Sequence, residues 1–123
     1  MIKRVGLILI LVSSMAMSAK ECTFDDINKG GGQVWEIPKD CQSLNLKPNY
    51  IGMEGARKLA TALKESENIK LTSLNLWAND IGAEGARELA TAMKENKNIK
   101  LTELNLYDNK IGGEGARELA TAM

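Results

Sequence analysis

Residues 71–100 read LTSLNLWANDIGAEGARELATAMKENKNIK, and within this stretch the spacing of the apolar residues changes from two to three and four. Leu74 and Leu76 are two apart, which puts them on one face of an extended segment and leaves Ser73, Asn75 and Trp77 on the other. Beyond Asn79, Ile81 and Gly82, the residues Ala86, Leu89, Ala90 and Met93 fall on one stripe of a helix. Glu84, Arg87, Glu88 and Thr91 take the remaining helical surface, where Glu84 and Arg87 are near enough to pair. Asn96 and Asn98 punctuate the return toward Ile99 and Leu101. The stretch therefore predicts a strand, a tight turn and a helix.

The same pattern recurs on either side. Residues 41–70 are CQSLNLKPNYIGMEGARKLATALKESENIK, and residues 101–123 are LTELNLYDNKIGGEGARELATAM, a third and incomplete copy. A strand and a helix with one apolar face each cannot bury that face alone, so copies of such a unit stack into a solenoid. The pattern LxxLxLxxNxIG followed by EGAxxLAxAM resembles the ribonuclease-inhibitor-like and NOD-like-receptor class of leucine-rich repeats, from Cys41 to Met123. The resemblance implies an α/β fold, a short leucine-rich-repeat solenoid with parallel strands on the concave face and helices on the convex face. It implies that Asn49, Asn79 and Asn109 form a ladder of side-chain hydrogen bonds to the backbone of neighbouring turns, as an amide with both donors and acceptors can. It further implies that Gly52, Gly82 and Gly112 permit the turn, and that Gly55, Gly85 and Gly115 let each helix sit close to the strand layer.

Ahead of the repeats, Lys3 and Arg4 precede an apolar stretch from Val5 to Val12 and then small residues at Ser13, Ser14, Ala16, Ser18 and Ala19. That order predicts a secretory signal peptide over 1–19, with an uncleaved anchor as the alternative, although the stretch falls short of the roughly 20 residues that a spanning helix needs. An N-terminal cap is expected over 20–40, followed by repeats over 41–70, 71–100 and 101–123. The product is expected to be secreted or periplasmic, without stable membrane insertion. In an oxidising compartment Cys22 and Cys41 are expected to form a disulfide that fastens the cap over the first repeat, the alternative being two free thiols.

The chain carries 16 basic and 16 acidic residues and no histidine. Charges alternate in sign along the sequence, which argues against a nucleic-acid partner, and the lack of histidine removes the usual general base and metal ligand. Two cysteines do not make a structural zinc site, so no metal or cofactor is expected. The run Gly30, Gly31, Gly32 lacks the Lys-Ser or Lys-Thr that a phosphate-cradling loop needs and reads as a turn. Glu54, Glu84 and Glu114 recur at the start of each helix, where a negative charge meets the positive end of the helix dipole, and Met93 and Met123 share the core slot of Leu63.

One column does not reduce to the fold. Lys47, Trp77 and Tyr107 come directly after the second strand leucine of each unit, flanked by Tyr50, Asp80, Asp108 and Lys110, and all are expected to face solvent from the concave side. Neighbouring Trp and Tyr rings on an open sheet resemble binding anchors, with mutual packing over the sheet as the other reading. The expected function is a non-enzymatic interaction module for a protein partner. Inhibition of an enzyme by occlusion is the first alternative, and a hydrolase using repeat-spaced acids is the second. The open end of the third copy, with Leu104, Leu106, Ile111, Leu119 and Met123, adds an expectation of self-association.

Overall fold

The computed structural model describes residues 20–28, 31, 33–47, 50–67 and 69–123. The expected leader over 1–19 and the expected role of Asn49 lie outside the described residues. The chain runs β1 (Glu21–Cys22), α1 (Phe24–Ile27), β2 (Ser43–Asn45), α2 (Gly52–Glu65), β3 (Ser73–Asn75), α3 (Gly82–Glu95), β4 (Glu103–Asn105) and α4 (Gly112–Ala122). The four strands form one parallel sheet in the order β1-β2-β3-β4. Leu44, Leu74 and Leu104 stand in register, as do Ser43, Ser73 and Glu103. The fold is the short α/β solenoid that the alternating periodicities predict. No helix of the described residues is long and apolar enough to cross a membrane.

The strand leucines and the helical stripe meet in one core. Leu44, Leu46, Leu74 and Leu76 are at most 1% exposed, and Ala56, Leu59, Leu63, Ala86, Leu89 and Met93 pack with them. Each fully buried leucine contributes on the order of 2 kcal/mol through the water it sheds. The third unit is less covered: Leu104, Leu106 and Ile111 are only partly buried, and Met123 is 58% exposed. Met123 is thus not the core filler that its slot predicts, because α3 flanks its helix on one side and, among the described residues, no further helix covers the other.

Two groups of glycines shape the repeat. Gly52, Gly82 and Gly112 adopt φ of +62°, +74° and +71° at the first helical position, a backbone shape that glycine takes without the clash of a Cβ. Gly55, Gly85 and Gly115 have a different neighbour from the one expected. A Cβ on Gly85 would come within 2.5 Å of the Ile81 side chain of its own turn and 3.0 Å of Ala56 Cβ, and one on Gly115 within 3.2 Å of Ala86 Cβ and 3.3 Å of Ile111 Cβ. These glycines therefore make room both for the turn isoleucine and for the preceding helix, which faces them with alanine. A Cβ on Gly55 would meet the Ile51 side chain first and then the Trp35 ring at 3.3 Å, so a cap tryptophan stands where the later units have a preceding helix.

The cap is built around that ring. Phe24 meets Trp35 edge to face at 5.4 Å, and Ile27, Trp35 and Ile37 join the core. Cys22 and Cys41 are disulfide-bonded with their Cα atoms 5.9 Å apart, both fully buried. Cys22 sits on β1 in register with Leu44, so the bridge ties the first strand to the start of the first repeat.

Candidate recognition face

The repeat strands β2, β3 and β4 are three residues long, and an asparagine at the end of each shapes the exit from it. Asn45, Asn75 and Asn105 are in register across the sheet. Each turns its Oδ1 back to accept from the backbone N–H two residues on: Lys47 at 3.2 Å, Trp77 at 3.0 Å and Tyr107 at 3.0 Å. These side-chain turns end the strand and fix the direction in which Lys47, Trp77 and Tyr107 leave it. The inward residues between them, Leu46, Leu76 and Leu106, anchor the same turns from beneath.

Four residues further on lies a second asparagine column, and it faces the other way. Asn79 and Asn109 are 0% and 1% exposed. Asn79 Nδ2 donates to Leu46 O at 2.6 Å and to Trp77 O at 3.3 Å, while its Oδ1 accepts from Ile51 N at 3.3 Å. Asn109 Nδ2 donates to Leu76 O at 2.6 Å, and its Oδ1 accepts from Asn79 N at 2.9 Å and Ile81 N at 3.2 Å. Each buried amide thus satisfies backbone groups of the preceding repeat, groups that would otherwise be stranded away from water. Backbone bonds from Gly52 N to Asn79 O and from Gly82 N to Asn109 O, each 2.9 Å, complete the clamp.

The turns held in this way are left-handed at several non-glycine positions. Tyr50, Ala78, Asp80, Asp108 and Lys110 have φ between +50° and +61°. Such a conformation costs a residue with a Cβ roughly 1 kcal/mol or more. Among the seven residues singled out as partner-binding, Tyr50, Asp80, Asp108 and Lys110 therefore sit on the strained turns, and Lys47, Trp77 and Tyr107 sit at the strand exits. All seven are exposed, with Tyr50 at 84%, Tyr107 at 74% and Trp77 at 39%. The Trp77 and Tyr107 rings do not form the expected side-by-side pair: among the described residues the only ring-to-ring contact is that of Phe24 with Trp35. Both rings therefore present themselves singly, one per strand.

The outer face is chemically different. Arg87 bridges Glu84 at 2.6 Å in its own helix and Glu114 at 2.9 Å in the next, and Arg57 pairs with Glu54 and Glu88 in the same way. Lys64 pairs with Glu95 and Lys94 with Glu118. The repeat-spaced carboxylates are therefore engaged by arginine within and between repeats. Among the described residues no cluster of His, Cys, Asp or Glu is placed to hold a metal ion. Of the glycine run, Gly31 has φ of +60°, and Gly30 and Gly32 lie outside the described residues.

Three asparagines carry more than their sequence signal. Asn96, which marks the end of α3, is 7% exposed and donates to Leu63 O at 2.7 Å and Ser66 O at 2.9 Å, tying down the C-terminal end of the preceding helix. Ser66, in the equivalent slot, bonds back to Ala62 O at the end of its own helix. Asn75 and Asn105 are the other two: the strand alternation places them outward but does not say that one end of each amide is used.

A family model described as Leucine Rich repeat matches residues 67–90 and again 97–120, the turn-and-helix portions of the second and third units with the strands that precede them. No curated protein matches the chain.

Proposed function

We propose that this leucine-rich-repeat protein is exported and acts, without catalysis of its own, by binding a protein partner through its strand face. What carries the reading is the contrast in use of side chains: Trp77 and Tyr107 stand exposed at successive strand exits on clamped turns, while Arg57, Lys64, Arg87 and Lys94 on the helical face are each paired with glutamates. Rigidly held, exposed aromatic side chains bury large area at low entropic cost, which is how recognition surfaces concentrate their energy. Lys47, Tyr50, Asp80, Asp108 and Lys110 would line the rim of that contact. Export is supported by the leader-like order of residues 1–19 and by the buried Cys22–Cys41 bridge, a kind of bond that persists in oxidising compartments. In this reading residues 20–40 form the cap and 41–123 the binding array.

The test uses peptides selected from a random displayed library on the immobilised chain, with affinities measured by calorimetry for Trp77→Ala, Tyr107→Ala and Arg87→Ala. Loss of a desolvated aromatic anchor should weaken binding by about 2 kcal/mol, roughly thirtyfold, without lowering the melting temperature. The Arg87 variant should bind as the unaltered chain does. Normal binding by both aromatic variants would move recognition to the helical side.

A further inference from the structure

We infer that this chain pairs with a second copy of itself through the open side of its third unit, β4 against β4 and α4 against α4 about a two-fold axis. The inference stands apart from what the strand face binds.

The array shows twice what the outward side of a unit is built to take. Ala56 and Ala60 on α2, and Ala86 and Ala90 on α3, are buried. The next helix meets this stripe, since Cβ atoms on Gly85 and Gly115 would touch Ala56 and Ala86. The same residues of α4, Ala116 and Ala120, are exposed. Leu76, Ile81 and Met93 are buried, whereas Leu106 and Ile111 are only partly so and Met123 is open to solvent. The sheet is open on the same side. Leu46 N and Leu76 N donate to Asn75 O and Asn105 O of the following strand, and Leu106 N has no such acceptor among the described residues. One surface thus joins a strand edge to an apolar helix stripe, in the arrangement that β2 with α2 and β3 with α3 present to their successors.

What completes such a surface is another strand edge with a helix at the same distance behind it. The opposite end of the sheet does not offer one: β1 is two residues long, α1 is four, and the Trp35 ring stands where a helix would. The matching surface is the same side of a second copy. A two-fold axis running from the strand layer to the helix layer sets β4 antiparallel to β4 and α4 antiparallel to α4 together, since both elements run across that axis. An antiparallel pair beside parallel strands makes an ordinary mixed sheet. Ala116 and Ala120 lie one turn apart and carry only a methyl group each, so the two helices can approach closely. The contact closes on itself, and association ends at two copies instead of growing into a filament.

Size sets the strength. The 11 residues of α4 span about 17 Å, and strand and helix together are about 20 Å deep, which gives a face on the order of 350 Å² per copy against roughly 800 Å² in a standard interface. Pairing is therefore weak and depends on concentration. Its geometry also bears on recognition, because the axis leaves both strand faces on the same side. Three repeat strands about 4.8 Å apart give a face about 15 Å wide, and pairing doubles it to about 30 Å.

Sedimentation equilibrium at rising concentration tests this on the unaltered chain and on Ala120→Glu, Thr121→Glu and Trp77→Ala. Thr121 is the control for an added carboxylate, since Thr61 and Thr91 stay exposed even where a next unit is stacked on theirs. The unaltered chain should pass from one copy to two and stop there. Ala120→Glu sets like charges together across the axis and should raise the dissociation constant at least about tenfold, with an unchanged melting temperature where the chain is a monomer. Thr121→Glu and Trp77→Ala should pair as the unaltered chain does. A chain that stays monomeric at every concentration overturns the inference, and so does growth past two copies, which is head-to-tail stacking. Undiminished pairing by Ala120→Glu overturns it as well. Loss of pairing in Trp77→Ala would put the contact on the strand face and overturn it too.

Discussion

The helical face and the strand face of this array are made from the same three copies, yet they dispose of their polar groups in opposite ways. On the helices, Arg57 and Arg87 each reach one glutamate in their own unit and one in the next, so the surface joins neighbours to each other. On the strands, Asn75 and Asn105 use one end of the amide and leave the other open, and the residues they position are large and exposed. The helical face thus spends many of its charges on its own neighbours, and the strand face keeps more of its polar groups open, which is the ground for proposing recognition there. Between the two lies the buried layer of Asn79 and Asn109, which belongs to neither face and supports both.

The largest effect should come from breaking that layer. Asn109→Ala strands Asn79 N, Ile81 N and Leu76 O in the interior and should cost about 3 kcal/mol or more in urea unfolding. A loss below about 1 kcal/mol, the net worth of a single hydrogen bond, would mean that the turns stand without it. Replacing Cys22 and Cys41 together by serine should cost about 3 kcal/mol, the entropy of a loop of this length, while peptide affinity measured at a temperature where the protein stays folded is unchanged. That outcome would separate what holds the sheet from what the sheet binds. Gly85→Val should destabilise by about 2 kcal/mol in the same assay, since its Cβ meets Ile81 at the start of its own helix and Ala56 on the preceding one. Arg87→Ala should cost a few tenths of a kcal/mol, because both of its ion pairs are solvated. The smallest expected shift is from Tyr50→Gly, which relieves a left-handed tyrosine. Stability should stay level or rise by about 0.5 kcal/mol, while affinity for selected peptides falls. A loss of stability above about 1 kcal/mol would show that the ring packs on the fold and is not held out for a partner.

The strand, the turn and the helix of each unit are legible in the sequence because their periods differ and recur. Leu74 and Leu76 face inward, Ala86, Leu89, Ala90 and Met93 line the buried stripe, and Gly82 carries the positive φ. The strand β1 is not legible, since two residues have no period and Glu21 and Cys22 become a strand only by pairing with Ser43 and Leu44. The neighbour of Gly85 escapes for a related reason: a sequence shows that a residue must be small, not which side crowds it. Asn96 reads as punctuation because its partners, Leu63 and Ser66, belong to the previous unit some 30 residues earlier. At the candidate site the outward column is readable from alternation alone. The second use of Asn75 and Asn105, holding the backbone of the residues beyond them, depends on a side-chain rotation that no spacing encodes.

The buried asparagines all reach in one direction, toward the N-terminus. Asn79 completes the turn that contains Ile51, and Asn109 the turn that contains Ile81, so each of these turns is finished by a residue synthesised 28 positions after it. Each unit therefore borrows from the one that follows the amide that finishes its turn, so an array shortened by its third unit would leave Ile81 N and Leu76 O without the partner that Asn109 supplies.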